Sequence, residues 1–173
     1  DGPFPEHYEP LESPVSNLLS NTQVNPVVKL WRPEEIGTAD KYPIVCTTYR
    51  MTEHWQAGQM TRNLPWLGEL MPKMFVQISE ELAAEKGISG GDIVTVDSKR
   101  GSVDCAAIIT KRLTPLIIDG KPVHHIALPW HWGFKGQFTG QSANNLTAYV
   151  GDPNTLIPEF KAFLVDVRKG GIS

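Results

Sequence analysis

"SEELAAEKGISGGDIVTVDSKRGSVDCAAIITKR", Ser79 to Arg112, places a short helix, a glycine turn and two β-rich runs end to end. Ser79 can cap the helix, Glu80 and Glu81 suit the positive end of its dipole, and Gly87 suits the left-handed position that closes it. GISGGD then turns the chain into DIVTVDSKR, a β-branched strand, and Arg100-Gly101 turns it back into GSVDCAAIITKR.

The same alternation continues outward. PIVCTTYR (43–50) and MFVQIS (74–79) read as strands upstream. Downstream, LIIDGKPVHHIAL (116–128) carries Asp119-Gly120 between two β-rich runs, a strong two-residue hairpin signal. PEFKAFLVDVRK (158–169) reads as the closing strand. Many short strands with one small helix predict a mainly β domain, a closed or nearly closed barrel, over residues 41–173. Residues 1–40 differ. Prolines at 3, 5, 10, 14, 26 and 33 fix φ and disfavour helix, and apolar residues show no period. The expectation is an extended Pro-rich strap, held by Phe4, Tyr8, Leu18, Leu19 and Trp31. DGPFPEHYEP reads as mid-chain, so a fragment, a processed product or one chain of a split subunit is expected.

Composition narrows the function classes. A net charge of −3 over 173 residues gives no basic field for nucleic acid or an anionic membrane. No apolar run reaches the roughly 18 residues of a membrane span. Cys46 and Cys105 lie far apart in apolar runs and read as buried thiols, which leaves the redox compartment open. His124 and His125 are adjacent, and His7, His54 and His131 have no partner at ligand spacing, so a protein-ligated metal is not expected. The phosphate-loop, GxGxxG and GxSxG patterns are missing, so redox chemistry here would have to come from a bound cofactor.

Four segments do not look like core. Thr48 to Arg62, TYRMTEHWQAGQMTR, is a donor-rich loop directly after a buried strand. Its arginines, hydroxyls and backbone amides suit a pyrophosphate; the plain alternative is a solvated loop with a buried tryptophan. Pro129 to Phe138 sets Trp130 and Trp132 around His131, with Gly133 and Gly136 leaving room for close approach, which suits a flat heterocycle or a loop pinned by its aromatics. Gln141 to Thr147 holds Asn144 and Asn145, which suit ring-edge recognition or a helix cap. Lys161 is a lone cation among apolar neighbours, where a lysine ordinarily snorkels to water.

Taken in order, TYRMTEHWQAGQMTRNLPWL, ISEELAAEKGISGGDIVTVDSKRGSV, HWGFKGQFTGQSANNLT and DPNTLIPEFKAFLVDV resemble the C-terminal domain of the molybdopterin oxidoreductases, the dimethyl-sulfoxide-reductase family, from Tyr42 to Arg168. GPFPEHYEPLESP, HWGF and SANNLT resemble the formate dehydrogenase major-subunit branch in particular; nitrate reductases are the alternative within the family, and a stand-alone β-barrel binding module the alternative outside it.

The resemblance implies a six-stranded double-psi β-barrel and a bis molybdopterin guanine dinucleotide carrying molybdenum or tungsten. It implies that Thr48, Tyr49, Arg50, Met51, Thr52, Glu53, His54 and Trp55 line the cofactor, with Thr61 and Arg62 closing the loop. Arg50 and Arg62 would meet phosphate, and Glu53, Asn144 or Asn145 ring N–H edges. Trp130, His131 and Trp132 would wall the pterin, and Lys161 would contact phosphate or pterin. The metal-ligating residue and the iron–sulfur cluster motif of such enzymes lie in other parts, so no catalytic residue is expected here. The partners implied are the remaining domains or chains of the catalytic subunit and an iron–sulfur electron-transfer subunit. A periplasmic compartment is expected, with the cytoplasm as alternative.

Overall fold

The computed structural model describes residues 9–18, 21–25, 27–133 and 137–171. Its strands are β1 (Lys29–Leu30), β2 (Ile44–Tyr49), β3 (Phe75–Ile78), β4 (Ile93–Asp97), β5 (Ser102–Ile109), β6 (Leu116–Ile118), β7 (Lys121–Val123), β8 (His125–Pro129), β9 (Val150–Gly151) and β10 (Phe163–Lys169). Two α-helices, α1 (Pro65–Leu70) and α2 (Glu80–Lys86), accompany them.

Six strands close into a barrel in the order β10-β2-β8-β3-β5-β4. Alternation decides what faces inward. In β2, Ile44, Cys46 and Thr48 are buried while Val45, Thr47 and Tyr49 are half-buried. Cys46, Val76, Ile78, Val94, Val96, Val103, Ile126 and Val165 form the barrel core with Leu82 of α2. Both cysteines are free and buried, and burial pushes the Cys46 thiol well up and the Cys105 thiol to about 12. Two pairings are parallel, β2 with β8 and β3 with β5, and each needs a long crossover.

The local signals act as chemistry dictates. Ser79 Oγ accepts from Leu82 N at 3.0 Å, and Gly87 takes the left-handed closing position at φ 63°. Asp119 and Gly120 both have positive φ, 51° and 74°, as the tight hairpin turn between β6 and β7 requires. That hairpin forms its own two-stranded sheet, and β8 alone enters the barrel from the 116–128 stretch. Helix α1 was not expected from the sequence; Pro65 at its first turn is the signal that starts it.

The segment before the barrel doubles back between Leu11 and Asn25, with Ser13 N donating to Gln23 O and Asn25 N to Leu11 O. It packs through Leu11 and Val28 on Ala148 and Val150. Leu18, expected as an anchor, is 97% exposed. Trp31 rests on Tyr149 with ring centroids 4.8 Å apart. Phe4, His7, Tyr8, Leu19 and Gly136 lie outside the described residues. Among the described residues, no helix is long and apolar enough to cross a membrane.

Candidate functional site

The polar loop after β2 divides into an inner and an outer set. The inner set is a hydrogen-bonded scaffold. His131 is fully buried, and its Nε2 accepts from Met51 N at 2.8 Å. Its proton therefore sits on Nδ1, which donates to Gln56 O at 2.5 Å. Burial lowers the pKa of His131, in keeping with a neutral ring whose Nε2 must accept. His54, also buried, places Nε2 2.9 Å from Met71 O, a pure acceptor, so that nitrogen carries the proton. Nδ1 then accepts from the Thr61 hydroxyl at 3.2 Å, and the same oxygen accepts from Trp55 N. The His54 ring stands edge-on to the buried Trp132 at 5.3 Å.

Arg62 belongs to this scaffold as well. It is 1% exposed, and its guanidinium donates to Phe138 O at 2.9 Å and Ala57 O at 3.5 Å. A phosphate was expected to meet this arginine; the structure turns it inward, where it ties the loop to residue 138. Gly58 makes the fold of the loop possible. At φ 76° a Cβ there would lie 2.2 Å from His131 O. Trp55, by contrast, is 55% exposed, so the buried polar residues and not the tryptophan pin the loop.

The outer set faces a cleft of about 140 Å³ lined by Thr48, Arg50, Trp130, Asn144, Phe160 and Lys161. Lys161 Nζ donates to Thr48 O at 2.5 Å, and Thr48 Oγ1 donates to Phe160 O at 3.0 Å. The Arg50 guanidinium lies over Trp130, 5.2 Å from the ring centroid. Two cations thus share one small cleft whose lining holds no carboxylate. The pKa of Lys161 is lowered, by burial first and then by the Arg50 charge. An anion placed there would meet both cations.

Asn144 and Phe160 also border a larger trough of about 700 Å³, so the two spaces adjoin. Asn145, Thr147 and Tyr149 line the trough, and so do Trp31, Arg32, Glu35 and Arg100. Asn144 and Asn145 sit in a 3₁₀ turn, Ala143–Asn145, capped by Ser142, whose Oγ accepts from Asn144 N. The cap is therefore Ser142, and both asparagine side chains stay exposed. Gly133, read as leaving room for a ligand, instead admits Ser142: a Cβ at Gly133 would lie 2.6 Å from the Ser142 Cβ.

The remaining expected site residues line neither space. Tyr49 packs edge-on to Phe75 at 6.4 Å, Met51 packs against the core, and Thr52, Glu53 and Trp55 are not among the lining residues of either space. Sequence reasoning missed the trough wall from Trp31, Arg32, Glu35, Arg100 and Tyr149. The Trp31 aromatic was visible, but nothing local says that it meets Tyr149. Among the described residues, no group of three or more His, Cys, Asp or Glu is placed to hold a metal ion.

Comparison with known proteins follows the same lines. Residues 44–164 match the family described as Molydopterin dinucleotide binding domain. The chain is 52% identical over 172 residues to the formate dehydrogenase subunit alpha of Megalodesulfovibrio gigas, covering 98% of this chain and 17% of that protein. It is 47% identical to the nitrate-inducible formate dehydrogenase major subunit of Escherichia coli K12, again covering 98% of this chain and 17% of the other. Acetylene hydratase from Pelobacter acetylenicus shares the fold at a TM-score of 0.64 and 17% identity, over 97% of this chain and 21% of that one.

Proposed function

Because the chain belongs to the molydopterin dinucleotide binding domain family, we propose that it holds the guanine dinucleotide form of molybdopterin within a formate dehydrogenase catalytic subunit. The chain spans about 17% of the length of the relatives it matches, so formate oxidation and electron transfer to an iron–sulfur partner belong to the proposal for the whole protein.

One observation carries the reading. Arg50 and Lys161 share a cleft lined by no carboxylate, and that cleft adjoins a longer trough at Asn144 and Phe160. A dinucleotide cofactor carries phosphate charge in its middle and flat heterocycles at its ends, which suits a cationic cleft beside a longer polar and aromatic trough. Arg50 would offer its planar fork to phosphate oxygens and Lys161 a point charge. Trp130 would wall the cleft, and the Asn144 and Asn145 amides would meet ring edges, since each amide both donates and accepts. When bound, the cofactor supplies a molybdenum or tungsten centre that accepts electrons from formate. This chain's residues bind and orient it, and the inner scaffold keeps the loop from collapsing into the cleft.

The test uses the whole catalytic subunit that contains this chain. Purified enzyme should retain pterin through gel filtration, release GMP on acid hydrolysis, and reduce dye when given formate. Absence of pterin would overturn the cofactor reading, release of a different nucleotide the guanine form, and oxidation of reduced dye by nitrate with no dye reduction by formate the substrate.

A further inference from the structure

We propose that the buried Glu12–Arg100 pair is a positioning pair for the dinucleotide cleft, setting the Asn144–Asn145 turn from behind. This rests on the cofactor reading above.

Arg100 occupies the turn between β4 and β5, and Glu12 comes from the segment before the barrel. Their side chains are 5% and 1% exposed. Every N–H of the guanidinium is committed. Nε and Nη2 donate to Leu146 O at 2.9 and 2.6 Å. Nη1 donates to Glu12 Oε1 and to Glu35 O, and Nη2 also donates to Glu12 Oε2 at 3.3 Å. Arginine has five such donors, so none is left for a ligand in the trough it borders.

The carboxylate is equally occupied. Besides Arg100, Oε1 accepts from Gly37 N at 2.5 Å and Oε2 from Leu164 N at 2.7 Å. One ion pair therefore joins five separate pieces of chain: Glu12, the 35–37 stretch, the β4–β5 turn, Leu146 and β10. Leu146 is the residue that closes the 3₁₀ turn presenting Asn144 and Asn145. The same β4–β5 turn abuts that element directly, since a Cβ at Gly101 would lie 3.0 Å from Asn145 O.

Energy alone gives little reason for such a pair. Desolvating both charges offsets most of their attraction, and apolar replacements of similar size are often no less stable. What a saturated, planar, bidentate pair does supply is a fixed geometry. Here the geometry it fixes is the backbone behind the two asparagines on the trough wall. The N-terminal segment thereby shapes the cofactor site through Glu12, which lines neither the cleft nor the trough.

The experiment compares Arg100→Lys, Glu12→Gln and Leu82→Val in the holoenzyme. Lysine has three donors and no fork, so it cannot hold both carboxylate oxygens and two carbonyls. Leu82 lies in α2, which borders neither cleft, and its substitution reports loss of stability alone. The expected result is pterin loss about tenfold faster in both pair variants, the effect of losing one hydrogen bond to a charged group. Leu82→Val should keep the wild-type rate at an equal or larger fall in unfolding midpoint. If Arg100→Lys fails to fold, the isosteric Glu12→Gln decides. Wild-type retention in either pair variant overturns the proposal, as does equal pterin loss in Leu82→Val, or failure of both pair variants to fold. Wild-type enzyme without pterin removes the cofactor reading and this inference together, whereas pterin-bearing wild type with unaffected pair variants removes only the inference.

Discussion

Replacing Lys161 by methionine separates a binding role from a structural one. Methionine keeps an unbranched apolar stem of similar length and removes the ammonium. In the structure that ammonium donates to Thr48 O at 2.5 Å and shares its cleft with Arg50. A phosphate oxygen about 4 Å from Nζ, at an effective dielectric of about 20, gains roughly 4 kcal/mol of Coulomb attraction. Desolvation takes back part of it, which leaves about 1.5–3 kcal/mol for a hydrogen bond to a charged group. Cofactor dissociation should therefore be about 10- to 150-fold faster. The fold should barely respond. Burial first, and then the Arg50 charge, lower the pKa of Lys161, so losing its bond to Thr48 O is offset by relief from partial desolvation and from a like charge. The unfolding midpoint should change by no more than about 4 °C. The assay follows extractable pterin against time in buffer, with the midpoint measured on the same preparation. Unchanged pterin release would refute the anion-cleft reasoning. A midpoint fall well beyond that range would make Lys161 a brace for β2.

Gly58→Ala places a Cβ 2.2 Å from His131 O at a positive φ, so it should destabilise by about 2–4 kcal/mol, read as a lower urea midpoint. Burial raises the Glu159 carboxyl to about 7, with the Glu12 charge adding to it and the Leu11 N–H opposing it. The unfolded chain then loses its proton first, so this group's stabilising contribution falls as pH rises from about 4.5 to about 7; Glu159→Gln should flatten that slope in the unfolding midpoint. His131 has the opposite sign. Its folded pKa lies below the ordinary 6.5, so the unfolded chain takes up a proton first and stability falls as pH drops below that value. Protonated Nε2 cannot accept from Met51 N, so the protection of the Met51 amide, its exchange rate relative to the intrinsic rate at the same pH, should fall in acid.

Sequence alone determined the elements whose causes lie within a few residues. Ser79 caps α2 and Gly87 ends it, and Asp119-Gly120 turns a hairpin, because capping and turn geometry are local. The family likeness was legible too, as an ordered set of segments around those elements. Only the tertiary structure decided which polar residues are scaffold and which face a ligand. TYRMTEHWQAGQMTR reads as one donor-rich loop, yet His54 and Arg62 are buried and Arg50 is exposed. That partition depends on Phe138 O for Arg62, Met71 O for His54 and Trp130 for Arg50, each supplied from elsewhere in the chain. Glu12 shows the same limit at its longest range. Nothing beside it in a Pro-rich segment marks a buried carboxylate, because its partners are Arg100 and the Leu164 amide. A buried polar group is stable only where its partners converge, and that convergence exists only once the barrel has closed.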